Sequence, residues 1–436
     1  MRARQSWHPP EKAGSGVGVS DFAERIRKLS VRHGRFPFVS RYRLVPSQEQ
    51  EAALAEHCRH ARFVWNLALE QWSMWRPGRR VATPSYGVQS VQLTEARAVT
   101  PWLRAGSQIV QQQALRDFRQ AVTNFYNGSH RRPTWRRAGR HEGFRVTGAQ
   151  SRRIERLSRK WGRVLIPKAG WVKFRLSRTL PDAKSYRVTR DGTGRWHLAF
   201  AVVPEPVPAP GNGEVVGMDR GVVVSVALST GELLTVPRLR RTERARMLRL
   251  QRRLARAKRG SNRRGRLRAA IAKLKSREVD RRKNWVEQTS TDVARRFDVI
   301  GVEDLRVTNM TRSARGTLDD PGRNVQQKAG LNRAILANAW GLLVARLEDK
   351  APGRVAKVHP AHTSQTCSRC GTVDREARES QAAYRCRSCG HSAHADTNAA
   401  CNIAARTIAA GRAVTARRDL GLSRSAKREP QLAASV

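Results

Sequence analysis

Four cysteines and three acids carry the chemistry legible in this chain. Cys367-x-x-Cys370 and Cys386-x-x-Cys389 are two knuckles with 15 residues between the pairs, and four thiolates at such spacing suit a tetrahedral zinc ion. Four thiolates close the coordination shell, so the site reads as structural. His391 and His394 lie past a complete cysteine set and read as loop or helix-start residues. The acids are Asp219, Glu303 and Asp396. In GEVVGMDRG, Asp219 sits where an apolar strand leaves the core, and in RRFDVIGVEDL, Glu303 ends another. In HADTNAACNIA, Asp396 heads a helix whose Ala399, Ala400, Ile403 and Ala404 share one face. Taken singly, each acid is most simply a cap or a turn residue. As a set they can converge on two Mg²⁺ ions about 4 Å apart, which stabilise the attacking and leaving oxygens of a phosphodiester at once.

The charge balance names the partner of such a site. Lys and Arg number 85 against 35 Asp and Glu, a formal net charge of +50 spread along the whole chain. An excess of that size self-repels unless a polyanion neutralises it, and clustered cations gain affinity for phosphates by releasing counterions. Residues 240–277 concentrate the excess, with 17 Arg or Lys and one Glu. Met247, Leu250 and Leu254, then Leu267, Ile271 and Leu274, keep helical spacing through it, which predicts an amphipathic hairpin turning near Gly260-Ser261-Asn262. Arg249, Arg252, Arg253, Arg256, Arg263 and Arg264 lie off that stripe and are the candidate phosphate contacts. A solvated face is the plainer reading of a charge run; the one-sided sign favours a nucleic-acid surface. With no apolar run of 18 residues, no signal sequence and cysteines suited to zinc in a reducing compartment, the expectation is a soluble cytoplasmic protein without a membrane partner.

The elements that position these residues fall into two halves. Residues 1–37 read as a poorly ordered basic extension. Residues 38–47 and 138–203 read as a small β-barrel, with WGRVLIP, GWVKFRL, SYRVTR and RWHLAFAVV as strands and Asp191-Gly192-Thr193-Gly194 as a hairpin turn. Residues 48–137 read as a helical insertion opening on a Ser47/Gln50 capping box, with Cys58 on an apolar helix face. An extended linker, residues 204–213, precedes an α/β domain over 214–360 and 392–411; Cys401 falls on an apolar face of its last helix. Residues 361–391 form the zinc module within that domain, and 412–436 a disordered tail. The fold class is multidomain α+β.

GMDRG, VEDL, TSQTCSRCG with the second Cys-x-x-Cys, and HADTNAACNIA together resemble the transposon-encoded TnpB nucleases, relatives of the compact type V CRISPR effectors. YRLVPSQEQ, ARFVWNLALEQ, GWVKFRL and PGRNVQQKAGLNRAIL extend the resemblance over most of residues 38–410. It implies a wedge barrel with a helical recognition insertion, then a RuvC-type, RNase H-like nuclease domain interrupted by a zinc-binding target-loading module. It places Asp219, Glu303 and Asp396 on the three metal-binding acids and the four cysteines on the zinc knuckle. It further implies cleavage of double-stranded DNA beside a short motif, directed by a guide RNA from the transposon end. A compact CRISPR effector, and a transposase or DNA-binding accessory protein without guided cleavage, remain the alternatives.

Overall fold

The computed structural model describes residues 38–74, 83–140, 142–182, 184–202, 205–317 and 319–419. The expected basic extension, and the expected tail beyond Asp419, lie outside the described residues. The chain divides into two units, Met1–Pro204 and Glu205–Val436.

In the first unit β1 (Phe38–Val45) leads into α1 (Gln48–Ser73), α2 (Tyr86–Val99), α3 (Pro101–Ala105) and α4 (Gln108–Tyr126). Strands β2 (Gly143–Thr147), β3 (Ile154–Arg156), β4 (Trp161–Ile166), β5 (Gly170–Arg175), β6 (Ser185–Arg190) and β7 (Trp196–Val202) follow. Helix α1 starts where the capping box predicts: Gln50 N–H donates to Ser47 Oγ, and Ser47 N–H to Gln50 Oε1. The seven strands form one sheet in the order β2-β6-β7-β1-β5-β4-β3, each neighbouring pair antiparallel. β2 and β3 stay unpaired to each other as its two edges, so among the described residues the expected barrel is an open half-barrel. The reason lies in what covers its apolar face. Leu54, Cys58 and Trp65 of α1 and Phe118 of α4 share one core with Phe144, Val164, Phe174, Leu198 and Phe200 of the strands. The helices supply the packing that the far wall of a closed barrel would give.

In the second unit the stretch read as a linker is fastened down. Val207 N–H donates to Lys350 O at 2.7 Å, and Gly211 N–H to Asp298 Oδ1 at 2.9 Å. Strands β8 (Val215–Asp219), β9 (Val226–Leu228) and β10 (Leu233–Leu234) form an antiparallel meander. The basic helices α5 (Arg241–Ala255) and α6 (Asn262–Arg296) come next, then β11 (Val299–Glu303), α7 (Val307–Met310), α8 (Val325–Ala337), α9 (Trp340–Lys350) and β12 (Val355–Val358). The short strands β13 (Ala383–Arg385) and β14 (Ser392–His394) precede α10 (Ala395–Asp419), which runs past the expected end of the ordered domain. The sheet order is β10-β9-β8-β11-β12, with β11 parallel to both β8 and β12.

α5 and α6 turn at Lys258–Ser261, where Gly260 takes φ +82°. Met247, Leu250, Leu267, Ile271 and Leu274 make their small core, as the helical spacing predicts. α6 runs on to Arg296, further than the charge pattern suggests. Among the described residues no helix is long and apolar enough to cross a membrane.

Candidate metal centres

Two glycines decide where Asp396 goes. Gly217 on β8 and Gly301 on β11 are register partners in the middle of neighbouring parallel strands, so the sheet has no side chains along that line. α10 lies there. A Cβ on Gly217 would fall 2.0 Å from Ala400 O, and one on Gly301 would fall 2.1 Å from Thr407 Oγ1. The alanines of the helix complete the fit, with Ala399 and Ala400 buried. This seats the first turn of α10, and Asp396 within it, beside the strand ends that carry Asp219 and Glu303. Each acid stands two residues beyond its glycine, in VVGMD and VIGVE.

Glu303 and Asp396 are buried and Asp219 partly so. Burial, followed by the like charges of Glu303 and Asp396, pushes the Asp219 carboxyl up to about 7. The other two acids have partners: Thr363 Oγ1 donates to Glu303 Oε1 at 2.5 Å, and Arg378 Nη2 to Asp396 Oδ1 at 2.9 Å. Arg220 is buried, and its guanidinium donates to the Glu303 carbonyl.

The four cysteines are gathered more tightly. Among the described residues they are the group whose ligand atoms, one from each, all lie within 4.8 Å of one another. Sγ–Sγ separations are 3.7 Å for Cys367–Cys389 and 3.6 Å for Cys370–Cys386, and a tetrahedron of zinc–sulfur bonds of about 2.3 Å has edges near that length. Hydrogen bonding with Thr372 lowers the pKa of the Cys370 thiol from its ordinary value. His391 and His394 stay outside the group. His394 Nδ1 accepts from Asp396 N–H at 3.3 Å.

The knuckle is tied to the acid-bearing helix by two asparagines one turn apart. Asn398 Oδ1 accepts from Ser368 N–H at 2.9 Å, and its Nδ2 donates to Thr366 O at 2.8 Å. Asn402 Nδ2 donates to Thr363 O at 2.9 Å and Thr366 O at 2.7 Å. Thr363 is thus held by α10 while it holds Glu303. Sequence reasoning missed Thr363, Arg378 and both asparagines. The Asn-x-x-x-Asn repeat inside a helix was a usable signal, because asparagine disfavours helix interiors unless its amide has a partner; nothing local marks Arg378.

Of the basic residues singled out on α5 and α6, Arg249, Arg252, Arg253, Arg256 and Arg263 are exposed. Arg264 differs. It is half-buried, and its Nη1 donates to Leu254 O at 2.8 Å and Ala257 O at 2.9 Å, closing the C-terminus of α5. Sequence spacing gave no hint of that local use.

Over its length the chain is 32% identical to the "Putative RNA-guided DNA endonuclease InsQ" of Escherichia coli (strain K12), covering 89% of this chain and 96% of that protein. The chain belongs to the TnpB family. A "Putative RNA-guided DNA endonuclease" of Streptomyces pristinaespiralis is 31% identical over 90% of this chain and 96% of its own length. The family profile described as "Probable transposase" matches residues 175–314, and "Cas12f1-like, TNB domain" matches residues 340–403. A profile described as "Helix-turn-helix domain" matches residues 39–79, where the described structure is β1 followed by the single long helix α1. A Cas12f1–sgRNA–target DNA complex contains a chain with 14% identity and a TM-score of 0.48, covering 88% of this chain and 86% of that one.

Proposed function

We propose that this member of the TnpB family is a transposon-encoded, RNA-guided endonuclease that hydrolyses double-stranded DNA beside a short motif, in the cytoplasm. The observation that carries the reaction is the meeting of Asp219, Glu303 and Asp396 at one end of a five-stranded sheet, with Asp219 raised to about 7 by burial and by the other two charges. An antiparallel meander followed by two parallel strands, with acids at the ends of the first strand and of the first parallel one, supports an RNase H-like, RuvC-type domain over residues 214–360 and 392–411. The first unit then serves as wedge and helical recognition module, and residues 361–391 as the zinc-bound target-loading module.

The donor sets fit the two metals. Tetrathiolate ligation by Cys367, Cys370, Cys386 and Cys389 suits structural zinc, whereas the hard oxygens of the three acids suit Mg²⁺. When bound, the Mg²⁺ pair would supply charge stabilisation for the attacking and leaving oxygens. The chain's own part is to present the carboxylates. The Gly217–Gly301 track sets α10 on the sheet, Thr363 orients Glu303, and Arg378 faces Asp396 with a guanidinium that can also meet a phosphate oxygen. Base pairing with the guide would read sequence, while Arg249, Arg252, Arg253, Arg256 and Arg263 hold backbone phosphates.

Asp219→Ala, Glu303→Ala and Asp396→Ala are each expected to reduce Mg²⁺-dependent cutting to background with binding retained. Thr363→Ala should cost roughly 10- to 100-fold, the usual effect of losing an outer partner of a metal ligand. Near-normal cutting by any of the three acid variants removes that residue from the centre. Sequencing the RNA that co-purifies with wild type tests guidance, and its absence would refute it.

A further inference from the structure

We infer that Asn338 is a positioning residue for the metal centre, acting through a turn that all three acids share. The turn, residues 220–225, leaves β8 at Asp219 and leads into β9. Its first residue, Arg220, is buried, and the guanidinium donates to the Glu303 carbonyl. Its second, Gly221, has no room for a side chain: a Cβ there would fall 2.6 Å from Val224 O and 3.7 Å from Asp396 Oδ2. One short stretch of backbone therefore continues from the first acid, bonds to the strand end of the second and lies close against the third. Where it sits sets the spacing of the carboxylates.

Asn338 grips this turn from the junction of α8 and α9, and it is only 1% exposed. Its Nδ2 donates to Val222 O at 3.0 Å and Gly221 O at 3.4 Å, and to Ala334 O at 3.1 Å one turn back in α8. Its Oδ1 accepts from Ser225 Oγ at 2.8 Å and Arg238 Nη2 at 3.4 Å. Ser225 Oγ in turn accepts from Val236 N–H at 3.0 Å. Both ends of the amide are engaged, and an apolar residue in its place would leave the Val222 carbonyl with only a 3.4 Å contact from Arg238.

Asn338 is itself held in place. α8 gives way to α9 at Ala339, whose φ of +56° is left-handed backbone that residues with a Cβ rarely adopt. Strain of that kind persists only where the surroundings over-determine it. Earlier in α8, Lys328 Nζ donates to Met310 O at 2.7 Å, and Asn332 Nδ2 to Thr311 O at 3.0 Å and Arg312 O at 3.1 Å. Those carbonyls belong to the segment that follows Glu303. α8 is thus a strut between the two strand exits, bonded to one through Lys328 and Asn332 and to the other through Asn338. The partners of Asn338 are carbonyls, a hydroxyl and a guanidinium rather than a carboxylate, so it acts by placing backbone. The inference rests on the reading of Asp219, Glu303 and Asp396 as one metal centre.

The test uses the zinc-loaded full chain freed of nucleic acid, with Mn²⁺ as the probe and loss of its free six-line EPR signal as the measure of binding. Asp219→Ala is the reference for a lost site. Asn338→Ala should weaken Mn²⁺ roughly 10-fold, at the low end for losing an outer support of a metal ligand, with zinc content unchanged. The Mg²⁺ concentration for half-maximal cutting should rise by a similar factor, and saturating Mg²⁺ should restore most of the rate. Arg354→Gln controls for plain destabilisation, because that guanidinium ties Val207 O, Ala294 O and Phe297 O at the opposite end of β11 and β12. It should melt below wild type yet bind Mn²⁺ equally well. If the alanine variant does not fold, Ser225→Ala, which removes the hydroxyl bonded to Asn338 Oδ1, should still weaken Mn²⁺ several-fold. Wild-type Mn²⁺ affinity in a folded Asn338→Ala, or in Ser225→Ala where the former does not fold, would overturn the positioning role, as would an equal loss in Arg354→Gln. A wild type that binds no more Mn²⁺ than Asp219→Ala would overturn the metal centre itself, and this inference with it.

Discussion

Asp219 holds its proton to about 7 because burial strips its hydration and Glu303 and Asp396 oppose its charge. A carboxyl raised in this way binds its proton more tightly in the folded chain than in the unfolded one. In Mg²⁺-free protein its ionisation therefore works against folding. The contribution is lost as pH rises from the ordinary carboxylate value of 3.8 through 7, and a shift of that size corresponds to about 4 kcal/mol. Asp219→Asn removes the charge without changing the shape. With zinc retained and Mg²⁺ absent, the variant should already melt above wild type at pH 5 and further above it at pH 8, the gap widening up to about pH 7 and level beyond. Adding Mg²⁺ should raise wild type and close the gap. A difference in melting temperature that does not vary with pH would mean that Asp219 ionises freely and that the acids do not oppose one another. Arg378 does not cancel that repulsion, since its 2.9 Å bond goes to Asp396 and Asp219 stays raised.

The seat of α10 sets a sharper requirement than the acids themselves. At Gly217 an added methyl would meet helix backbone, Ala400 O and Ala404 N, whereas at Gly301 it would meet the Thr407 side chain. A side chain can rotate away and a helix backbone cannot. Gly217→Ala should accordingly cost more than Gly301→Ala, in the range of about 1–3 kcal/mol typical of overpacking, and it should lower cutting by lifting Asp396 away from β8. Thermal melts and Mg²⁺-dependent cleavage of the two variants check this; a larger loss at Gly301 would contradict the geometry. The same elements show how far sequence could be read. VVGMD and VIGVE announced two strands ending in acids, and the Ala-rich face announced a packed helix, since those signals are local. That Gly217 and Gly301 lie side by side depends on which strands are neighbours, and no period in the sequence encodes that. Arg378 was invisible for the same reason, since it reaches Asp396 across a loop. The half-barrel read as closed because strand patterning reports which face is buried, not what buries it. Helices α1 and α4 cover it.

At the scale of the whole chain the net charge of +50 has to be balanced by a polyanion, and the α5–α6 pair is where that demand is most concentrated. Its apolar side is occupied by Met247, Leu250, Leu267, Ile271 and Leu274, which leaves Arg249, Arg252, Arg253, Arg256 and Arg263 exposed. If these five hold phosphates, replacing them by Gln should weaken binding to nucleic acid and make log K less steep in log salt, by about 0.7 to 0.9 of a unit for each phosphate no longer neutralised. Thermal stability should fall only modestly: Arg252, Arg253 and Arg256 lie in the last turn and C-cap of α5, where losing a cation costs about 0.3–1 kcal/mol each, and Arg249 is exposed away from both helix ends. Arg264 supplies the internal control. Its guanidinium is engaged by the carbonyls of Leu254 and Ala257, so Arg264→Gln should lower the melting temperature by freeing the end of α5 while leaving the salt slope close to wild type. The two outcomes separate a phosphate-binding face from a merely solvated one. A quintuple variant with an unchanged slope would show that these arginines face only water, and an Arg264 variant with a reduced slope would show that its guanidinium leaves the helix end to meet a phosphate.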